Sequence, residues 1–332
     1  MSKDSRDRER IIADVFFEAF TGHGPVLVAG DHLGFAAQQL ASAGHEVCPW
    51  SRWSGRAAPG TIWPAGGPYP SGALRIPKEK PALDLAVHAV AAHLEVGATM
   101  WVYGANDEGI RSTAKRLHPL FEEVLSVRTK RHCRVLRARR TPGQSAVSPL
   151  SAWRIDGQIG LDGVEVPWVS YPGVFARGAL DPGTEALLTT VGAPPERARI
   201  LDFACGTGVI AATLARRTPS VELVLTDADA IAVESARQNV PSGTVYLGDA
   251  WAGVPPGPYD WIVSNPPLHA GKLEDHRVLR ALVDEAPQHL ASGGALWLVT
   301  QRRVAAEPLL RQRFRRVEMA HGTARYRVWC AR

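Results

Sequence analysis

Residues 200–208 read Ile-Leu-Asp-Phe-Ala-Cys-Gly-Thr-Gly, and residues 209–217 continue with the apolar spacing of a helix. An apolar run, a pair of glycines and a helical pattern predict a buried strand, a tight turn and a helix. Glycine lets the backbone of such a turn approach a ligand, which would lie beyond the carboxyl end of the strand, at the helix N-terminus. Because position 211 is Ala, the turn lacks the third glycine of dinucleotide-binding folds, and a dehydrogenase is disfavoured.

Carboxylates stand at three successive strand ends around this turn. Asp202 lies in the first strand, Asp227 ends the apolar run Val221–Thr226, and Asp249 follows the run Thr244–Leu247. Asp202 suits a cationic amino group, Asp227 suits the two hydroxyls of a ribose, and Asp249 suits an adenine amino group. Each Asp alone could be a helix N-cap or a turn residue, but three in this arrangement favour a ligand site.

Asn265-Pro266-Pro267 follows a further predicted strand, Tyr259–Ser264. Two prolines stop ladder pairing and remove backbone donors, so that carbonyl acceptors stay free, and Asn265 adds a side-chain carbonyl. An amino group on an aromatic ring is a poor nucleophile because its lone pair is delocalised. Acceptors that hold its two N–H groups turn the lone pair towards an activated methyl group, so that positioning supplies most of the acceleration. The alternative is a rigid turn without chemistry.

Four motifs together resemble the class I methyltransferases that use S-adenosyl-L-methionine and act on amino nitrogens: DFACGTG (202–208), TDAD (226–229), GDAW (248–251) and SNPPLH (264–269). A fifth stretch, YPGVFARGALDPGTEALL at 171–188, is similar to the segment before the glycine turn in the bacterial ribosomal RNA guanine-N2 methyltransferases. That family has a degenerate N-terminal methyltransferase-like domain and a catalytic C-terminal domain. The resemblance covers most of the chain.

The resemblance implies how the cofactor is bound. The methionine part of S-adenosyl-L-methionine would be held by the first strand and the glycine turn, at Asp202, Ala204, Gly206 and Gly208. Asp227 would bind the ribose and Asp249 the adenine. Asp181 would close over the cofactor.

The resemblance also implies an acceptor site. The target amino group would be held by the loop residues Asn265, Pro266, Pro267 and Leu268, and the substrate would further be contacted by Phe175, Arg177 and His269. Leu268 stands where the family usually has an aromatic residue that stacks on a flipped base, and leucine offers apolar contact with less specific stacking. Adenine N6 and a glutamine amide therefore remain alternative acceptors to guanine N2.

An internal echo suggests that the two halves share one fold. Residues 93–102 (HLEVGATMWV) and 289–298 (HLASGGALWL) coincide at four positions at an offset of 196. A helical pattern precedes each copy, over Lys80–Leu94 and Asp275–Leu290, and the opening VLVAGDHLG at 26–34 resembles the glycine-turn stretch. Such elements recur in any α/β protein, so that chance similarity is the alternative to a shared fold.

We therefore predict an α/β protein of two tandem Rossmann-like methyltransferase-fold domains. The degenerate N-terminal domain would span residues 1–142 and the catalytic domain residues 150–332, around a linker rich in Pro, Gly and Ser, Leu136–Ser151. The first half has no second N-P-P motif, and we expect it to bind RNA or to support folding.

Composition limits the class of protein. Apolar residues make up 45% and charged residues 21% of the chain, as in globular domains, and no apolar run approaches the roughly 18 residues that span a bilayer. The charged segment Met1–Arg10 lacks the features of a secretory signal, and Ile11–Phe20 is predicted to be a docking helix. The four cysteines are far apart, which disfavours disulfides and metal sites. We expect a cytoplasmic protein with no membrane or metal partner.

The basic excess lies in the first half. Residues 1–150 hold 19 Lys and Arg and 14 Asp and Glu residues, which is the whole net charge of +5. Much of it falls in one stretch: Arg128, Lys130, Arg131, Arg134, Arg137, Arg139 and Arg140. The stretch suits phosphate binding and a charged edge strand equally well. With the resemblance, it favours ribosomal RNA or a ribosomal subunit as partner, the small subunit above the large. A non-catalytic RNA-binding assembly factor is the competing hypothesis, which the intact acidic positions disfavour.

Overall fold

The computed structural model describes residues 3–55, 58–142, 150–267, 269–270, 273–274 and 276–332. Contacts divide the chain into two compact units, residues 2–154 and 155–332. Among the described helices, none has both the length and the apolar character needed to cross a bilayer. The same described residues contain no group of three or more His, Cys, Asp or Glu side chains arranged to hold a metal ion.

The first unit is built on a six-stranded sheet in the order β2-β1-β3-β4-β6-β5. Its strands are β1 (Val26–Ala29), β2 (Val47–Trp50), β3 (Tyr69–Arg75), β4 (Leu94–Ala105), β5 (Phe121–Lys130) and β6 (Cys133–Arg140). Its helices are α1 (Lys3–Phe17), α2 (Phe35–Ser42), α3 (Lys80–Ala92) and α4 (Ile110–Leu117). The first four strands of the order run parallel, and β6 is antiparallel to both of its neighbours.

The second unit is built on a seven-stranded sheet in the order β11-β10-β9-β12-β15-β17-β16. Its strands are β7 (Ile155–Leu161), β8 (Val164–Ser170), β9 (Arg199–Phe203), β10 (Glu222–Asp227), β11 (Gly243–Leu247), β12 (Tyr259–Ser264), β13 (His269–Ala270), β14 (Leu273–Glu274), β15 (Leu290–Gln301), β16 (Val317–Gly322) and β17 (Tyr326–Ala331). Its helices are α5 (Pro182–Thr190), α6 (Val209–Arg217), α7 (Ala230–Asn239), α8 (Arg277–His289) and α9 (Ala306–Arg311). β7 and β8 form a separate hairpin, as do β13 and β14.

Each sheet is covered by helices on both faces, because its central strands are apolar on both sides. In the second unit, Ile200 of β9 packs with α5, α6 and α7, whereas its neighbours Leu201 and Phe203 pack with α8 and α9. The first unit divides in the same way, with α3 and α4 on one face and α1 and α2 on the other. This burial of central strands fixes the positions of the strand ends, where the site residues lie.

The two sheets have the same strand order, apart from the additional edge strand β11. β4 (Leu94–Ala105) and β15 (Leu290–Gln301) begin and end at positions that differ by 196, the offset of the internal echo. The prediction that the chain consists of two tandem α/β domains with one fold is therefore confirmed.

The predicted linker is wrong in its first part. Leu136–Arg140 belongs to β6, and Leu136 and Arg140 are buried. The Arg140 guanidinium donates hydrogen bonds to the backbone oxygens of Ala91 and Thr141. The arginine at this position therefore belongs to a buried strand and does not indicate a loop. Residues 143–149 of the expected linker lie outside the described residues. The expected docking helix begins earlier than predicted, at Lys3, and ends at Phe17.

Candidate active site

The strand order brings the predicted site residues side by side at one edge of the second sheet. Asp202 of β9 pairs in register with Leu225 of β10 and with Val263 of β12. Asp227 and Asn265 each lie two residues beyond those partners, at the carboxyl ends of their strands. Because β11, β10, β9 and β12 are consecutive neighbours, this edge presents a row of acidic and amide groups. A crevice beyond the carboxyl ends of parallel strands is where α/β folds bind ligands.

The glycine turn wraps around the end of β9. Ala204, Gly206 and Gly208 have φ values of 57°, 56° and 89°, in the left-handed region that favours glycine. Gly208 begins α6, and a Cβ there would lie 2.7 Å from Cγ2 of Val240. A Cβ at Gly206 would meet no atom within 4 Å, which shows open space beside the turn. The Gly206 amide donates to Oδ2 of Asp227 at 2.8 Å, so that the turn and the second acidic strand end are tied together.

Asp202 is fully buried and only half satisfied. Its Oδ2 accepts from the Ala211 amide at 3.0 Å, whereas Oδ1 has no hydrogen-bond partner among the described residues. Burial raises the pKa of Asp202 to about 7, with Asp227 contributing in the same direction, and burial likewise raises the pKa of Asp227 to about 6. An unpartnered buried carboxylate oxygen is costly. It fits a cationic ligand, such as the ammonium group of an amino acid moiety.

Asn265 is oriented by two groups from the start of α5. Its Nδ2 donates to Oδ2 of Asp181 at 3.0 Å and to Oγ1 of Thr184 at 2.9 Å. A carboxylate only accepts hydrogen bonds at neutral pH, so that the amide NH2 must face Asp181. The Oδ1 carbonyl of Asn265 is therefore held on the opposite side. Asp181 also caps α5 by accepting from the Gly183 and Thr184 amides, which fixes its own position.

The loop after Asn265 is anchored at its base. Ser264 is fully buried, and its Oγ donates to the Phe203 carbonyl at 2.7 Å, joining the end of β12 to the end of β9. Pro266 is buried and Pro267 exposed. Leu268 lies outside the described residues, and His269 is described only as a backbone position in β13.

The hairpin β7–β8 is fastened to the glycine turn through Asn239, at the end of α7. The Val169 amide donates to Oδ1 of Asn239 at 2.8 Å, and Nδ2 of Asn239 donates to the Thr207 carbonyl at 3.0 Å. The Trp168 indole N–H donates to Oγ1 of Thr207 at 3.2 Å. These contacts give the hairpin a role in holding the turn, which the sequence did not indicate.

Three other predicted residues are placed less tightly. Phe175 is 61% exposed and Arg177 is also exposed, in a short 3-10 segment after the hairpin where Arg177 has a φ of 53°. Both side chains are accessible to a ligand. Asp249 lies two residues beyond the end of β11, and its Oδ1 accepts from the Arg277 guanidinium at 2.7 Å. Arg277 and Thr184 were missed because each acts on a residue distant in the chain. The capping motif Asp181-Pro-Gly-Thr was the one available signal for Thr184.

A seven-stranded sheet of this order, with a glycine turn after its central strand and acidic neighbouring strand ends, defines a class I methyltransferase fold. The chain matches the family model described as methyltransferase small domain over residues 165–330 and the model described as methyltransferase small domain N-terminal over residues 18–154. Ribosomal RNA small subunit methyltransferase C of Hahella chejuensis is 33% identical over 297 residues, covering 84% of this chain and 85% of the relative. The protein therefore belongs to the small-subunit ribosomal RNA methyltransferase C family.

Two further comparisons agree. The relative of the same name from Pseudomonas syringae pv. syringae is 32% identical over 294 residues, covering 87% of each chain. The T. thermophilus 16S rRNA N2 G1207 methyltransferase, RsmC, solved in complex with AdoMet and guanosine, has a TM-score of 0.84 at 22% identity. The match covers 97% of this chain and 91% of that one, and it shows that the two proteins share their fold.

Proposed function

We propose that the protein transfers the methyl group of S-adenosyl-L-methionine to the exocyclic N2 amino group of a guanine in small-subunit ribosomal RNA. The observation that carries the proposal is the orientation of Asn265. Its amide NH2 is bound by Asp181 and Thr184, and its carbonyl is thereby left to accept from an amino group. The names of the relatives and of the T. thermophilus protein support the substrate.

The second unit supplies a matching cofactor site. The unpartnered Oδ1 of Asp202 and the open turn at Gly206 fit the ammonium group and the chain of a methionine moiety. Asp227 would accept from the ribose hydroxyls and Asp249 from the adenine amino group. Ala204 and Gly208 would shape the same turn. When bound, the cofactor supplies an activated methyl group on a cationic sulfur.

The chain's own contribution is positioning. Asn265 Oδ1 and the Pro266 carbonyl would accept the two N–H groups of the target and direct its lone pair towards the methyl carbon. The same two oxygens stabilise the positive charge that develops on the nitrogen, until the nitrogen loses a proton to water. Pro267 keeps the loop rigid. We assign Asp181 to positioning Asn265, in place of the cofactor contact expected from the sequence.

The remaining assignments concern the residues that contact the substrate and the roles of the two domains. Phe175 and Arg177, both exposed, would contact the RNA near the target base, with Leu268 and His269 on the loop after Pro267. A base within a helix would have to be flipped to reach the loop. We propose that residues 150–332 carry the chemistry and that residues 1–142 support RNA binding or folding. We further propose a cytoplasmic location, because the ribosome is the substrate.

The test uses ribosomal particles from a strain in which the gene is deleted. Purified protein is incubated with methyl-labelled S-adenosyl-L-methionine and, separately, with small subunits, large subunits or naked 16S rRNA, and the RNA is hydrolysed to nucleosides. The expected product is labelled N2-methylguanosine from small-subunit RNA, formed at least about a hundredfold more slowly by the Asn265→Ala variant. Labelled N6-methyladenosine, label in ribosomal protein, or no transfer to any RNA would contradict the proposal.

A further inference from the structure

The first unit contains a cavity of about 260 Å³ that the methyl-transfer site does not use. It lies on the sheet face that packs against α1. Its wall from the sheet includes Ser71 of β3, Thr99 and Trp101 of β4, and Arg137 and Arg139 of β6. The opposite wall is the segment 21–23, which precedes β1.

Strand register explains why these side chains converge. Thr99 pairs with both Ser71 and Arg139, which places the three side chains in one row across the sheet. Trp101 pairs with Arg137 in the next row on the same face. The far wall is fastened to this floor by Ser71, whose Oγ accepts from the His23 amide at 3.1 Å and donates to the His23 carbonyl at 2.8 Å.

The two arginines are not edge-strand charges. β6 lies between β4 and β5, and β5 forms the edge. On β5 the cations Arg128 and Lys130 both bind Glu18. Arg137, by contrast, forms no ion pair in the described part of the chain, and Arg139 lies 3.6 Å from Glu123, with both side chains more than half exposed. Arg137 therefore brings a positive charge without an ionic partner among the described residues, whereas the charge of Arg139 is partly offset by Glu123.

The cavity is also lined by a residue whose buried hydrogen-bond donor has no acceptor among the described residues. Trp101 is 2% exposed and packs on Phe20 at a centroid distance of 4.6 Å. Its indole N–H has no hydrogen-bond partner among the described residues. Because a buried donor without an acceptor is costly, a ligand that only accepts hydrogen bonds would satisfy it.

We propose that this cavity binds a phosphodiester group of the RNA substrate. Two guanidinium groups, an indole N–H and the Thr99 hydroxyl suit phosphate oxygens, for which arginine has matching geometry. Glu123 at the rim is an acceptor for a ribose 2′-hydroxyl, the group that distinguishes RNA from DNA. A volume of about 260 Å³ falls below the roughly 300–1,000 Å³ of most small-molecule sites, and so suits one sugar-phosphate unit. The proposal rests on the RNA substrate proposed above.

The test compares two double variants with equal loss of charge. Arg137→Gln/Arg139→Gln alters the cavity, and Arg128→Gln/Lys130→Gln alters the edge strand. Each is titrated with a 16S rRNA fragment over a range of salt concentrations. The cavity variant should bind about tenfold more weakly, and the slope of log affinity against log salt should fall by roughly 1 per lost contact. The edge variant should change affinity by less than about threefold, and both should bind S-adenosyl-L-methionine and melt as wild type.

Further binding experiments test whether the phosphate that binds in the cavity belongs to RNA. Trp101→Phe keeps a smaller aromatic ring but removes the N–H, and it should weaken RNA binding several-fold. A DNA strand of the same sequence should bind more weakly than RNA to the wild type, and this difference should be lost in the cavity variant. Equal losses in the two double variants, or none in the cavity variant, would overturn the proposal. Binding of inorganic phosphate with unchanged RNA affinity in the cavity variant would also overturn it. Methyl transfer by the wild type, measured in parallel, tests the proposed function separately.

Discussion

The two units of the molecule share a sheet but differ at its carboxyl edge. Gly34 and Gly208 begin α2 and α6 with left-handed φ values of 73° and 89°, and they occupy the same place in the matching stretches 26–34 and 200–208. This alignment makes Val28 of β1 the counterpart of Asp202 of β9, and both strands have a parallel neighbour on each side. Strand register then extends the comparison to the neighbouring strands.

The three polar site residues Asp202, Asp227 and Asn265 have different residues at their counterparts in the first unit. Val28 pairs with Pro49 of β2 and Ala73 of β3, just as Asp202 pairs with Leu225 and Val263. Two residues further along, the counterparts of Asp227 and Asn265 are Ser51 and Arg75. The first unit thus lacks both carboxylates and the amide. Its equivalent edge cannot hold the cofactor by the contacts proposed for the second.

Arg75 closes the edge of the first unit. It is 7% exposed, and its guanidinium binds Glu9 of α1 and Glu108 at 2.8 Å each. Burial lowers the pKa of Arg75, but Glu9 and Glu108 more than offset this and raise it above its ordinary value. In both units, therefore, an acid that precedes the first strand of the sheet binds the residue at the end of a neighbouring strand: Glu9 before β1 binds Arg75 at the end of β3, and Asp181 before β9 binds Asn265 just after β12. In the second unit the bound residue is a neutral amide with a free carbonyl; in the first it is a paired cation.

The largest expected effect concerns this buried ion cluster. Arg75→Met removes the nearer cation from Glu108, whose side chain is 3% exposed, and leaves it only the more distant Arg8 at 3.5 Å among the described residues; the free energy of unfolding should fall by about 3–5 kcal/mol. Denaturant titration measures the loss. Arg116→Met, which breaks a half-exposed pair with Asp84, should cost less, about 1 kcal/mol. Loss of kcat in folded Arg75→Met protein, at unchanged stability, would show that the first unit takes part in the chemistry.

The next effect is on catalysis. Asn265→Ala removes the side-chain carbonyl that Asp181 and Thr184 orient. The kcat for methyl transfer should fall by about 10²–10³, which is the usual cost of losing one preorganised polar contact in the transition state. The Kd for S-adenosyl-L-methionine should stay within about twofold, because Asn265 is proposed to contact the target base and not the cofactor. Single-turnover kinetics and calorimetry give the two values. A cofactor defect as large as the kinetic one would place Asn265 in the wrong site.

Asp202 predicts how cofactor binding varies with pH. Its folded pKa of about 7 lies above the ordinary 3.8, so that the free protein holds a proton there below about pH 7. Binding an ammonium group requires the carboxylate, and affinity should fall by up to about tenfold per unit as pH drops below 7. For the same reason, the stability of the unliganded protein should fall as pH rises from about 4 to 7. Calorimetry and unfolding across this window measure both trends. Asp202→Asn should flatten both between about pH 6 and 7, whereas Asp227, whose pKa is raised to about 6, still contributes below pH 6. Persistence of either trend between pH 6 and 7 in that variant would assign it to another group.

The smallest effect concerns the support of Asn265. Thr184→Val removes one of the two acceptors on its NH2 group, and kcat should fall about fivefold, the worth of one neutral hydrogen bond. Thr213→Val is the control, since Thr213 is also buried but bonds only the Val209 carbonyl within α6. It should leave kcat unchanged. Equal kcat losses in the two variants would show that Thr184 acts through stability alone.

Local patterns allowed much of the second unit to be predicted. The strand Tyr259–Ser264 and the helix Val209–Arg217 have the predicted bounds, because the prolines and glycines that limit them act on adjacent residues. The acidic positions were found for a similar reason, since Asp202 and Asp227 lie near the ends of apolar strands and Asp249 lies shortly after a third. The prediction for Asp249 was the least exact, because this residue lies two positions beyond the end of β11.

Contacts between distant residues could not be predicted. Asp181 and Asn265 are 84 positions apart, and their contact depends on how α5 packs beside the sheet. The linker prediction failed at Leu136–Arg140 because composition alone does not separate an arginine-rich buried strand from a loop. The basic stretch likewise divides into buried, paired and cavity-lining side chains only when the strand register is known.

The most direct test of the account is calorimetric titration of the whole chain with S-adenosyl-L-methionine. The account predicts one binding site per chain, lost or weakened at least about tenfold in Asp202→Asn, since a charge-assisted bond is removed, and unchanged in Ser51→Ala. Two sites per chain, or wild-type affinity in Asp202→Asn, would contradict the claim that the carboxylate-lined edge of the second unit alone holds the cofactor.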